Sequence, residues 1–171
     1  MEKLTAILAN RVYCDDVITH EDVEVTLPDV AAQVFEVKAM GPVNVVLPGL
    51  FESMEMTIKT VGASRQYAQI SSFKKHVFKI TAAQNKVAAD GTITPKKFRA
   101  VVNGISKKIG SITIKPGEAA EPESTYEVTR YEAYEDDQCM WIIDKLAGVC
   151  KVWDGAQLVD YGNQIKNLLD A

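Results

Sequence analysis

The chain has 171 residues, 47% apolar and 25% charged, with 19 basic against 23 acidic side chains and a formal net charge of −4. That length fits one domain with a real core, and the apolar fraction excludes wholesale disorder. The acidic balance argues against a phosphate-gripping surface, no apolar run approaches the ~18–20 residues of a membrane helix, and Met1-Glu2-Lys3 leads into a strand without a signal-peptide core, so neither secretion nor a membrane location is expected.

In chain order the dominant signal is β. Leu4 to Tyr13 reads as a strand ending in an Asp15-Asp16 turn, and Val23 to Leu27 as a second, alternating strand stopped by Pro28. Gln33 to Met40 alternates and is punctuated by Gly41-Pro42. The stretch from Gly41 to Leu50 is apolar and holds Pro48-Gly49, which predicts a turn inside a greasy loop. From Phe51 to Thr60, Met54, Met56 and Ile58 fall on one face, and Ser53, Glu55, Thr57 and Lys59 on the other. One buried and one wetted face follows, with Glu36 and Lys38 giving the preceding strand a similar polar side.

A short helix is predicted over 63–71, capped by Ser64, with Ala63, Tyr67 and Ile70 at helical spacing. Phe73 to Ala82 returns to strand. Asp90-Gly91 and Asn103-Gly104 both predict hairpin turns, and Ser111 to Lys115 a short strand closed by Pro116-Gly117. Glu118 to Glu123 reads as an exposed acidic loop. A long strand over Ser124 to Tyr134 then turns at Asp136-Asp137 into Met140 to Asp144. After Trp153-Asp154-Gly155, the period of Leu158, Tyr161, Ile165 and Leu168 predicts a short amphipathic C-terminal helix.

Chemistry is sparse. No GxG pair or GxxxxGK is present, so nucleotide fingerprints are missing, and the two histidines, His20 and His76, stand in no metal-ligand spacing. Three cysteines, Cys14, Cys139 and Cys150, with no CxxC pair, predict reduced packed thiols rather than a disulfide framework or zinc site. The acidic group at His20-Glu21-Asp22 reads as a solvated turn between strands. Cys14 or a serine could meet His76 in space, but no nucleophile elbow supports catalysis. Lys96-Lys97-Phe98-Arg99, with Lys107-Lys108, reads as a hairpin with solvated lysines that protect an edge rather than as a base-stacking platform. Trp141 and Trp153 read as core or interface anchors. By elimination the chain is non-catalytic, with no cofactor or metal.

Three segments carry a resemblance. Val25-Thr26-Leu27-Pro28 is similar to an element that closes the second strand in the P2 FII-like major tail tube proteins of contractile-tailed bacteriophages. Glu123-Ser124 leading to Tyr131 resembles the entry to that family's long late strand. Ile143-Asp144, then six residues, then Lys151-Val152 with Gly155 shortly after, resembles its C-terminal signature. The order of elements agrees along essentially the whole chain, with Lys74 to Lys115 matching in kind only.

The resemblance implies a mainly β tail-tube sandwich or barrel over residues 1–171 as a single domain. It implies hexameric rings that stack into a hollow tube, with strands donated to a barrel around the lumen. The tube would conduct DNA without specific binding in a phage tail, or pierce in a tailocin. It would be assembled in the host cytoplasm and would meet sheath, baseplate or tube-initiator, tape-measure and tail-terminator proteins. On that reading Glu36, Lys38, Ser53, Glu55, Thr57 and Lys59 line the lumen, where a neutral or acidic wall lets phosphates slide. Gly41, Pro42, Val43, Val45, Val46, Leu47, Pro48 and Leu50 then pack on a neighbouring subunit or ring. A secretion tube of the type VI kind and a monomeric β-barrel binding module remain the alternatives.

Overall fold

The computed structural model describes residues 3–170; Met1, Glu2 and Ala171 of the expected 1–171 domain lie outside them. Strands β1 (Lys3–Cys14), β2 (Val17–Glu21), β3 (Glu24–Thr26), β4 (Ala32–Lys38), β5 (Pro42–Phe51) and β6 (Met54–Lys59) precede helix α1 (Arg65–Ile70). Then come β7 (Lys75–Val87), β8 (Ile93–Ile109), β9 (Glu123–Glu135), β10 (Gln138–Asp144), β11 (Val149–Trp153), β12 (Leu158–Asp160) and helix α2 (Tyr161–Leu169). The expected mainly β chain with two short helices is the fold.

Ten strands form one sheet in the order β12-β11-β10-β9-β8-β7-β1-β2, with β6 branching from β9 and β3 pairing β6. Among the described residues the sheet is open and closes no barrel. The branch has a local cause. Met54 to Lys59 pair with Val128 to Glu123, whereas Arg130 to Glu135 pair with β10, so β9 changes partner at Thr129. The ladder to β8 slips there too, Asn103 facing Arg130 but Gly104 facing Val128. A bulge of this kind reverses which face the following residues occupy. Ser124, Tyr126 and Val128 are buried before it, and Tyr131 and Ala133 after it.

The core lies on one face of this sheet, from Val12 and Cys14 through Phe78, Val102 and Tyr126 to Met54, Met56 and Ile58, with α1 laid over it. The Ser64 side chain accepts the Tyr67 N–H and caps α1 as its sequence predicts, and Tyr67 and Ile70 point into the core, while Ala63 is exposed. The Tyr126 hydroxyl donates to the Ile70 carbonyl at 2.9 Å, and its ring meets Phe78 edge-on at 4.8 Å. A buried tyrosine thus satisfies its polar end while filling the core.

Several expectations change. Asn103-Gly104 is not a turn: both residues sit inside the 17-residue strand β8. A Cβ on Gly104 would stand 3.2 Å from the Glu127 carbonyl oxygen, so the glycine serves a close backbone approach at the bulge. Ser111 to Lys115 forms no strand, because no neighbouring strand offers it a ladder, and Ile114 is left exposed. His20 and Glu21 belong to β2 rather than to a turn. Pro122, in the expected exposed loop, is buried, and Leu158 belongs to β12 rather than to the C-terminal helix. The Asp15-Asp16 and Asp136-Asp137 turns both form, each with two residues at positive φ (50° and 67°; 47° and 64°). This matches the right-handed twist of the flanking strands, and Asp tolerates it.

Candidate assembly surfaces

Two surfaces stand out by what they leave uncovered. The first is the hairpin of β4 and β5, a two-stranded sheet separate from the rest. Pro42 to Leu50 of the expected Gly41–Leu50 loop is therefore strand. The anticipated Pro48-Gly49 turn is absorbed differently: Ala32 faces Phe51 and Gln33 faces Leu47, so Pro48, Gly49 and Leu50 fall between paired positions. Proline, with no N–H to give a ladder, and Gly49 at φ 97° suit such a bulge. At the hairpin's base Gly49 lies against Ile165 of α2, and the Lys145 ammonium donates to the Glu52 carbonyl at 3.0 Å.

Beyond that base the hairpin stands clear. Directly opposed residues share a face. Phe35 with Val45 and Val37 with Val43 make one apolar face, and all four are exposed, Phe35 at 61%. Glu36 with Asn44 and Lys38 with Pro42 lie on the other. Among the residues expected at an interface, Gly41, Pro42, Val43, Val45, Val46, Pro48 and Leu50 are exposed and Leu47 is half-buried.

The second surface is the polar face of the main sheet. Met54, Met56 and Ile58 are fully buried, while Ser53 and Glu55 are exposed and Thr57 and Lys59 half-buried on the other side, so the alternation holds. Glu36 and Lys38, however, are on the detached hairpin, so the six expected lumen residues occupy two sheets within one chain rather than one continuous face. Residues the sequence reading passed over complete the polar face of β6, β8 and β9. Lys107 is an extra residue in β8, since Ser106 faces Tyr126 and Lys108 faces Thr125. The bulge aims its ammonium at Glu55 and at Glu127, the latter at 3.2 Å. The Ser53 hydroxyl also donates to Glu127, and this bond, with Lys107 beside it, holds the Glu127 carboxyl below its ordinary value. Further along, Arg130 pairs with Glu132 at 2.6 Å and with Asp144 at 3.1 Å. Period-two alternation in β9 puts Glu127 and Glu132 on opposite faces, and only the bulge near Thr129 brings both to the polar side.

The basic hairpin is engaged within the chain. Lys96 pairs with Asp136 at 3.2 Å, Arg99 lies 4.5 Å over the Tyr134 ring, and Phe98 packs against the core. Trp141 stacks edge-on with Tyr131 at the core margin, and Trp153 is half exposed. Cys14, Cys139 and Cys150 are free thiols. No described helix is long and apolar enough to cross a membrane.

A sheet with one buried and one charge-paired face, carrying a bare apolar hairpin, is a surface made for assembly. The family model described as Phage tail tube protein FII matches residues 5–165. The chain belongs to that family. No match was found among the curated proteins. As a phage tail tube protein it is a structural component of the virion tail that self-associates into a tube and associates with other tail proteins.

Proposed function

We propose that this tail tube protein, acting as a single domain over 1–171, forms hexameric rings that stack into the inner tube of a contractile tail and conduct DNA. It acts as scaffold rather than enzyme. The observation that carries this reading is the β4–β5 hairpin. Two strands alone are marginal in water, and these expose apolar side chains along their length. A neighbouring copy that takes the apolar face would stabilise the hairpin and turn Glu36 and Lys38 toward the same side as Glu55, Thr57 and Lys59. The open sheet would then close between subunits, and its edges would disappear. Ser53, Glu55, Glu127 and Lys107 would present the lumen with one ammonium held between two carboxylates, a net negative lining that does not retain phosphates.

Assembly would take place in the host cytoplasm with sheath, baseplate or initiator, tape-measure and terminator proteins as partners. A tailocin would use the same subunit for piercing. Light scattering on a size-exclusion column, followed by negative-stain microscopy of the same fractions, tests the proposal. Hollow rings or tubes with a sixfold end view are expected. A different rotational symmetry, or a monomer that stays single at high concentration with an added tube initiator, would overturn it.

A further inference from the structure

The two Asp-Asp turns are built alike, and their difference is informative. In each, the first aspartate's N–H donates to a carbonyl of the adjoining strand, Val77 for Asp15 and Lys97 for Asp136. In each, its Oδ1 accepts the N–H of that same residue, at 3.0 and 2.9 Å. The other carboxylate oxygen meets the side chain one residue earlier: Lys96 at 3.2 Å in one turn, His76 at 2.8 Å in the other. Lys96 offers an ammonium, which cannot ligate a metal. His76 offers a ring nitrogen that can, and it is buried, 2% exposed, beside the buried thiol of Cys14.

Both ring nitrogens of His76 have polar neighbours. The Ser72 hydroxyl stands 3.1 Å from the Gln69 carbonyl and 2.5 Å from His76 Nε2. Nδ1 faces the Asp15 Oδ2 at 2.8 Å and the Cys14 Sγ at 3.5 Å, with Sγ and Oδ2 3.9 Å apart. Imidazole nitrogen, thiol sulfur and carboxylate oxygen thus converge within 4.8 Å of one another, bridged either by the Nδ1–H of the ring or by a metal ion.

The donor set suits a metal. Imidazole, thiolate and carboxylate suit zinc, and tetrahedral coordination places such donors ~3.3–3.6 Å apart. The Nδ1–Sγ separation already fits; Nδ1–Oδ2 must widen by about half an ångström and Sγ–Oδ2 must close by about 0.3 Å, and the exposed Asp15 side chain can supply both. With a metal on Nδ1, Nε2 would carry the ring proton, and Ser72 would accept it as the outer contact that orients a ligating histidine. Cys14 and His76 are buried and Asp15 is exposed, so an ion would enter from the Asp15 side. Burial pushes the Cys14 thiol up to about 11, with Asp15 adding to the shift and nearby Lys74 opposing it, so zinc would displace the thiol proton to solvent as the Zn–S bond forms. The second turn shows that none of this is needed to make the turn itself.

We propose that Cys14, Asp15 and His76 form a zinc-class divalent metal site that ties the β1–β2 turn to the start of β7. The test is titration of the full-length protein with Co²⁺, followed by Zn²⁺ competition. The expected result is a thiolate-to-cobalt charge-transfer band with tetrahedral visible bands, an equimolar end-point and displacement by Zn²⁺. The bands should vanish in C14S and H76Q but persist in the C139S/C150S double variant. S72A should keep them while weakening affinity about 10- to 100-fold. Zn²⁺ should also raise the thermal midpoint of the wild type and not that of C14S, whose small change keeps the fold assessable. Absence of the bands in folded wild type, or bands unchanged in C14S, would overturn the site and leave a proton between His76 and Asp15.

Discussion

The main sheet and the β4–β5 hairpin are made of similar residues with opposite fates. Around Phe78, Tyr126 and Met56, apolar side chains are buried within one chain, and the Tyr126 hydroxyl finds its partner there. In the hairpin, Phe35, Val37, Val43 and Val45 pair across strands yet face solvent. The difference teaches that one part of this molecule is finished by folding and the other by association.

The sharpest way to break the comparison is F35D. On the proposed reading it removes tube formation altogether by microscopy, while the monomer's unfolding free energy in urea changes by no more than about 0.5 kcal/mol, as for other surface changes. Tubes from F35D would move the interface elsewhere. The mirror experiment is Phe78→Ala, which should destabilise the monomer by about 3–5 kcal/mol in chemical denaturation because a fully buried ring is lost.

Gly162→Ala sharpens the boundary between the two regions. A Cβ there would stand 2.3 Å from the Gly148 carbonyl oxygen, so α2 must shift, and with it the Ile165 contact to Gly49 under the hairpin. A loss of about 1–3 kcal/mol is expected, together with weaker assembly. Tyr126→Phe should cost about 1 kcal/mol by leaving the Ile70 carbonyl without its donor.

The smallest effect concerns pH. The folded Glu127 carboxyl is depressed from its ordinary value of 4.5 by the Ser53 hydrogen bond and Lys107. Its contribution is therefore fully present above about 4.5 and is lost as pH falls through the lower folded value. E127Q should flatten that part of the urea midpoint-versus-pH curve; an unchanged slope would show that the Ser53–Glu127–Lys107 network does not form in solution.

Much of this was legible in the sequence because the signals were local. Ser64 caps α1, the Asp-Asp pairs turn, and the Met54–Met56–Ile58 alternation buries one face, each through residues within a few positions of one another. Family membership was also legible, through short segments kept in order along the chain. Two of the misreadings share a cause: Asn103-Gly104 and Pro48-Gly49 have turn composition, but long ladders on either side make them bulges.

What only the tertiary structure decided was which distant residues meet. Composition could not place Glu36 and Lys38 on a detached hairpin, nor aim Lys107 through a bulge at Glu55. Nor could spacing reveal Cys14 beside His76, 62 positions away, because antiparallel pairing of β1 and β7 sets that proximity and no sequence period encodes it. Local propensity and alternation are written in neighbours; strand register is an outcome of the whole sheet, and the surfaces and side-chain clusters of this protein follow from register.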